Sequence, residues 1–199
     1  MRMASSTIAK PISSLGPMSF DPARELPSVL QQYDTLRALL EAHPQLRSRR
    51  AQLSGWSAEE HIAHVTLANE LVLRNLGNLL KGSGLLVMQG GDATPGALEL
   101  LQAGVLPRGQ AQSPRMVRPP TPVDVPMLLD WLREGRAGFA ALDPARIASS
   151  GLKIPHQVLG PLDAPEWLRF AAVHTRHHLG IACEVLAALG ATELPALPA

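Results

Sequence analysis

The sequence predicts an all-α protein: a four-helix bundle with a long crossover between its second and third helices. Three observations predict it. Four segments of the 199-residue chain repeat apolar residues at helical spacing. Residues that start and stop helices bracket each of them. No alternating strand pattern of useful length occurs, and four amphipathic helices bury their stripes best against one another.

The first segment, about 21–42, sets Leu26, Val29, Leu30, Tyr33, Leu36 and Leu40 on one side, and His43 with Pro44 ends it. The second opens at "GWSAEEH", where Ser57 is followed three residues later by Glu60, the capping-box pattern. It runs through Val65, Val72, Leu76 and Leu79 to Gly82. From 81 to 123 the chain is rich in Gly, Pro and Gln, with one short helix expected near 96–103. At 1.5 Å per residue the second helix is roughly 35 Å long, and about forty residues can run back along it. Helices two and three are therefore expected to lie parallel. The third, near 124–142, carries Leu128, Trp131, Leu132, Phe139 and Leu142 and closes at Asp143 and Pro144. The fourth, about 164–189, has Pro165 in its first turn and Gly190 beyond its end. The bundle is expected over 21–190, with a floppy tail over 1–20 and a short tail over 191–199.

A hydrophobic content of 46% suits one domain with a sizeable core. Net charge is +1 and aromatics are 4%, so no electrostatic footprint for nucleic acid or an anionic membrane is present. The run "RSRR" at 47–50 reads as a solvated turn. The single cysteine, Cys183, excludes an intramolecular disulfide and a multi-cysteine zinc site. No run of about 18 apolar residues exists to cross a membrane. Lys10 and Pro11 interrupt any apolar leader segment, and the expected location is cytoplasmic.

The anomaly is "AAVHTRHHLGI" at 171–181, three histidines within five positions of an apolar helix. At about 100° per residue, Trp167, Phe170, His178, Ile181 and Val185 fall within about 40° of His174, and His177 about 60° away. Thr175, Arg176 and Cys183 point elsewhere, so Cys183 is not read as a ligand. One buried histidine can satisfy itself with a backbone bond. Two at i and i+4 both need partners, and that spacing lets two imidazoles converge on one metal ion if a third ligand exists. Helix two offers His61 and His64 in "HIAHV"; taken alone, each reads first as a capping, structural or solvent-facing residue.

"GWSAEEHIAHVTLANE", followed far on by "HQVLGPLDAPEWLRFAAVHTRHHLG", resembles the DinB/YfiT-like superfamily over about 21–189. In that family a Trp-Ser pair opens the second helix, and a histidine eight residues after the Trp is a metal ligand; here it is His64. An H-x-x-x-H pair on the last helix supplies the other two, matching His174 and His178. His61 and His177 match no ligand position. Two departures are visible: Ile181 stands where many relatives carry glutamine, and Gln157 follows His156 where proline is common. The resemblance implies a divalent ion, zinc or nickel, and often a homodimer. It also implies one of three roles: a thiol S-transferase or isomerase using a low-molecular-weight thiol, a metal-dependent hydrolase, or a non-enzymatic stress-response binding or interaction protein.

Three neutral histidines would leave a divalent ion its full charge and an open position, able to activate water or to bind a thiol as thiolate. Thiol-dependent transfer to a small-molecule substrate is the favoured reading. "HTRHH" has Thr175 where a zincin protease has glutamate, and "QGGD" at 89–92 lacks the lysine of a phosphate loop. Glu60 has two readings, helix cap or a base beside the ligands, and the cap is favoured. His156 reads equally as an ordinary loop residue or as part of the pocket mouth.

Overall fold

Each long helix begins on a side-chain oxygen. The computed structural model describes residues 20–109 and 112–197, so the tail expected over 1–20 lies, apart from Phe20, outside the described residues. Asp21 caps α1 (Pro22–Ala42), Ser57 caps α2 (Ala58–Lys81), Asp124 caps α4 (Val125–Ala140) and Asp163 caps α6 (Ala164–Ala187). Between them lie the short helices α3 (Ala97–Ala103) and α5 (Pro144–Ala148). The capping box at Ser57 and Glu60 is complete, and Asp163 and Glu166 form a second one. Each cap stabilises its helix by about 1 kcal/mol.

Contacts along the helices fix their directions. His61 meets His178 while His64 meets His174, so α2 and α6 are antiparallel. Thr121, just before α4, bonds Glu60 in the first turn of α2, and Gly138, late in α4, approaches Leu73. Helices α2 and α4 therefore run parallel, as expected, and the crossover between them spans 82–124. Glu25 pairs with Arg169, and Leu39 lies beside Leu194, so α1 runs with α6. The arrangement is up-down-down-up. Its core includes Tyr33, Leu36, Ile62, Leu76, Leu128, Leu132 and Phe139, all 2% exposed or less.

The crossover is tied to the bundle by two α6 arginines. Arg169 Nε donates to the Leu101 carbonyl at 2.8 Å, and Arg176 donates to the Gly104 carbonyl at 2.6 Å. Both supply cations to the negative end of α3.

The protein is mostly helical, as expected, with one small sheet that no strand pattern in the sequence announces. A three-stranded antiparallel sheet forms from β1 (Met88–Gln89), β2 (Leu152–His156) and β3 (Gly160–Leu162), in the order β1-β2-β3. Pro155 and Pro161 face each other in the β2–β3 register, so no run of strand-forming residues marks the hairpin. Gly160 has φ 76°, and a Cβ there would stand 2.8 Å from the Thr94 nitrogen; only glycine lets the crossover pass so close. Asp143 and Pro144, a stop signal in the sequence, also begin α5: Asp143 caps it and Pro144 is its first residue. No helix among the described residues is long and apolar enough to cross a membrane.

Candidate metal centre

The capping box of α2 aims His61 and His64 inward, one turn into the helix and against α6. His64 is buried, and its Nδ1 lies 2.7 Å from the Val117 carbonyl in the crossover, with Ser113 Oγ at 3.3 Å. A carbonyl only accepts, so His64 carries its proton on Nδ1 and presents a bare Nε2. That Nε2 lies 3.3 Å from His174 Nε2. Two nitrogens bound at about 2.0–2.1 Å to one tetrahedral ion stand about 3.3–3.4 Å apart. Ligand atoms of His64, His174 and His178 all lie within 4.8 Å of one another. The three residues fit a metal ion in donor type and in spacing.

Their surroundings favour the metal-binding protonation state. His174 and His178 are held well below the usual imidazole range, first by burial and then by neighbouring histidines. Burial lowers His64 as well, against the opposing pull of the Val117 carbonyl. Neutral imidazole is the form that binds metals. His174 Nδ1 is buried without a hydrogen-bond partner, so its ring is held by packing instead. Phe170 stacks on it, with centroids 5.1 Å apart and planes 21° apart. Trp56 packs against the His64 and His178 rings, with centroids 4.9 Å and 6.3 Å away.

Residues 29–182 match the DinB superfamily, a span of well over half the chain that takes in α2, the crossover and nearly all of α6. The chain belongs to the DinB superfamily. No curated protein and no solved structure matches it. The DinB span contains all three clustered histidines.

His177 stacks edge-on against His178 and lies outside the group of three. Cys183 is half-buried, and burial pushes its thiol up, with Glu184 adding to the effect. Ile181 is buried on α6. Of the roles open to His61, capping, structural or surface, the structure shows the structural one: it is 3% exposed, and its Nδ1 lies 2.9 Å from His178 Nδ1. The loop over 48–57 folds across the start of α2, bringing Ser54 Oγ to 2.8 Å from His61 Nε2.

The Glu60 carboxylate is fully engaged. It accepts from Arg49 through two nitrogens, from the Ser57 backbone at 2.8 Å and from Thr121 at 3.0 Å. Burial alone would raise its pKa, but these donors together outweigh burial and hold it below the usual carboxylate value. His156 closes the β2–β3 turn, its Nδ1 accepting from Val158 and Leu159 N–H. Its ring packs 4.6 Å from Phe170, so it adjoins the aromatic wall behind His174 without joining the ligand group.

Proposed function

We propose that this DinB-superfamily protein binds one divalent ion through His64, His174 and His178, and uses it to join a small thiol to an electrophilic small molecule. The observation that carries the reading is the 3.3 Å spacing of His64 Nε2 and His174 Nε2, with the His64 proton held on the far nitrogen by Val117. Zinc and nickel both suit a three-imidazole set. Such an ion supplies an open coordination position and an undiminished positive charge, both suited to holding a thiolate.

The chain's own groups supply the rest. The Val117 carbonyl fixes the His64 tautomer, and backbone partners of this kind commonly tune a ligand's affinity. Phe170 and Trp56 wall the cluster with aromatic surface and thin the water around it. Hydrolysis is the weaker alternative, because it calls for a positioned general base. Glu60 is a poor one: its oxygens are occupied by Arg49, Ser57 and Thr121, and its basicity is reduced.

The test is elemental analysis of protein purified without a polyhistidine tag, followed by conjugation assays with bacillithiol, mycothiol or glutathione and an electrophile. The expected result is about one divalent ion per chain and thiol conjugation that disappears in His174→Ala. Strong hydrolysis of activated esters without added thiol would replace this reading with the hydrolase. Absence of turnover with the ion fully bound would leave a binding protein.

A further inference from the structure

We propose that His61 is a positioning residue for His178, and that Ser54 completes the hydrogen-bonded relay by accepting from His61. The inference rests on the metal reading above and extends it to two residues outside the ligand set.

A histidine that gives one nitrogen's lone pair to a cation carries its proton on the other nitrogen, and that N–H needs an acceptor. For His64 the acceptor is the Val117 carbonyl. For His178 the atom facing Nδ1 is His61 Nδ1, 2.9 Å away, with ring centroids 5.2 Å apart. When His178 turns Nε2 toward the other two ligands, its Nδ1–H donates to His61 Nδ1. His61 then holds its proton on Nε2 and donates to Ser54 Oγ at 2.8 Å. Ser54 Oγ also accepts from the Trp56 backbone N–H at 3.1 Å, and a hydroxyl oxygen has a second lone pair for His61. Either polarity can make both bonds, since the hydroxyl and each neutral ring can donate or accept, but only this one leaves the His178 Nε2 lone pair free for a cation. The opposite polarity puts the proton on His178 Nε2 and removes the lone pair a metal needs.

Position in the fold makes the arrangement firm. His61 is 3% exposed, and Trp56 packs edge-on against its ring at 5.4 Å. Since His174 Nδ1 has no partner, orientation of the site through hydrogen bonds falls to His64 and His178.

The experiment measures metal affinity by competition with a chromogenic chelator, and the cobalt(II) absorption spectrum, for the wild type and for His61→Ala, His61→Asn, Ser54→Ala and His178→Ala. Circular dichroism of each metal-free variant confirms the fold. His61→Ala is expected to weaken binding about 10- to 100-fold while keeping the wild-type stoichiometry. The amide oxygen of His61→Asn falls near the Nδ1 position and accepts the same bond, so affinity and the cobalt spectrum return close to wild type. Ser54→Ala, which keeps both rings, gives a smaller loss and carries the test if His61→Ala does not fold. Equal affinity in the wild type, His61→Ala and Ser54→Ala overturns the proposal. So does His61→Asn binding no better than His61→Ala, or a complete loss in His61→Ala matching His178→Ala, which makes His61 a ligand. A wild-type chain that holds no ion overturns the metal reading and this proposal with it; the other outcomes overturn only the role of His61.

Discussion

Mild acid should unfold the metal-free protein. Burial, with His64 and His177 adding to it, pushes His61 down to about 4, and burial pushes His156 to about 4. In an unfolded chain each would protonate near about 6.5. Between those values the unfolded state binds a proton on each residue that the folded state refuses. Stability therefore rises with pH across this window and is lost as pH falls through it. One proton is worth about 1.4 kcal/mol per pH unit, so these two residues give a slope of about 3 kcal/mol per unit. His64, His174, His177 and His178 are lowered too and steepen it. A domain's whole stability is about 5–15 kcal/mol, so cooperative unfolding is expected between about pH 6.5 and 4.5. Urea melts followed by helical circular dichroism, in chelator and at several pH values, measure the slope. In His61→Asn one titrating group is gone, and the slope should fall by about 1.4 kcal/mol per unit. Unchanged stability from neutral pH down to about 5, or stability that rises on acidification, would refute the claim that burial keeps these imidazoles neutral.

Metal at about a thousand times its Kd should stabilise the wild type by about 4 kcal/mol, a Tm rise of roughly 8–16 °C for a chain this size. His178→Ala should abolish that rise and His177→Ala should keep it, as read by thermal melts; equal losses would break the ligand assignment. Chelated protein should retain its helical spectrum at neutral pH, because the core is apolar and continuous without an ion; a coil spectrum would make the ion structural. Gly135→Ala should lower Tm, since the new Cβ would stand 2.6 Å from the hydroxyl of Tyr33, which is 1% exposed and packed on Phe139. Gly77→Ala, with nothing within 4 Å of its Cβ, should raise stability by about 0.4–1 kcal/mol, and the opposite pattern in the two melts would refute the packing argument.

Local signals carried most of the fold. Asp21, Ser57, Asp124 and Asp163 each stand one residue before a long helix, and Gly82 ends α2 in the left-handed conformation. These features lie within a few residues of what they control, so a sequence displays them. The β2–β3 hairpin was invisible because its pairing places Pro155 opposite Pro161 and rests on a turn that His156 closes. His64, His174 and His178 were legible through helical spacing and family resemblance together. The partners of His61 stayed hidden because helical geometry alone cannot show that the loop over 48–57 folds across it. The Val117 carbonyl was beyond reach for a similar reason: 53 positions separate it from His64, and a backbone atom leaves no trace in residue identity.

That carbonyl has an evolutionary consequence. The crossover touches His64 mainly through main-chain oxygen, an atom every amino acid supplies, while the ligands themselves sit on the rigid helices α2 and α6. Side chains of the crossover, such as the exposed Arg115 and Met116 within the 3-10 turn that ends at Val117, can be exchanged without changing what holds His64. Selection can thus vary the side chains of this segment while the bundle keeps the spacing of the three histidines.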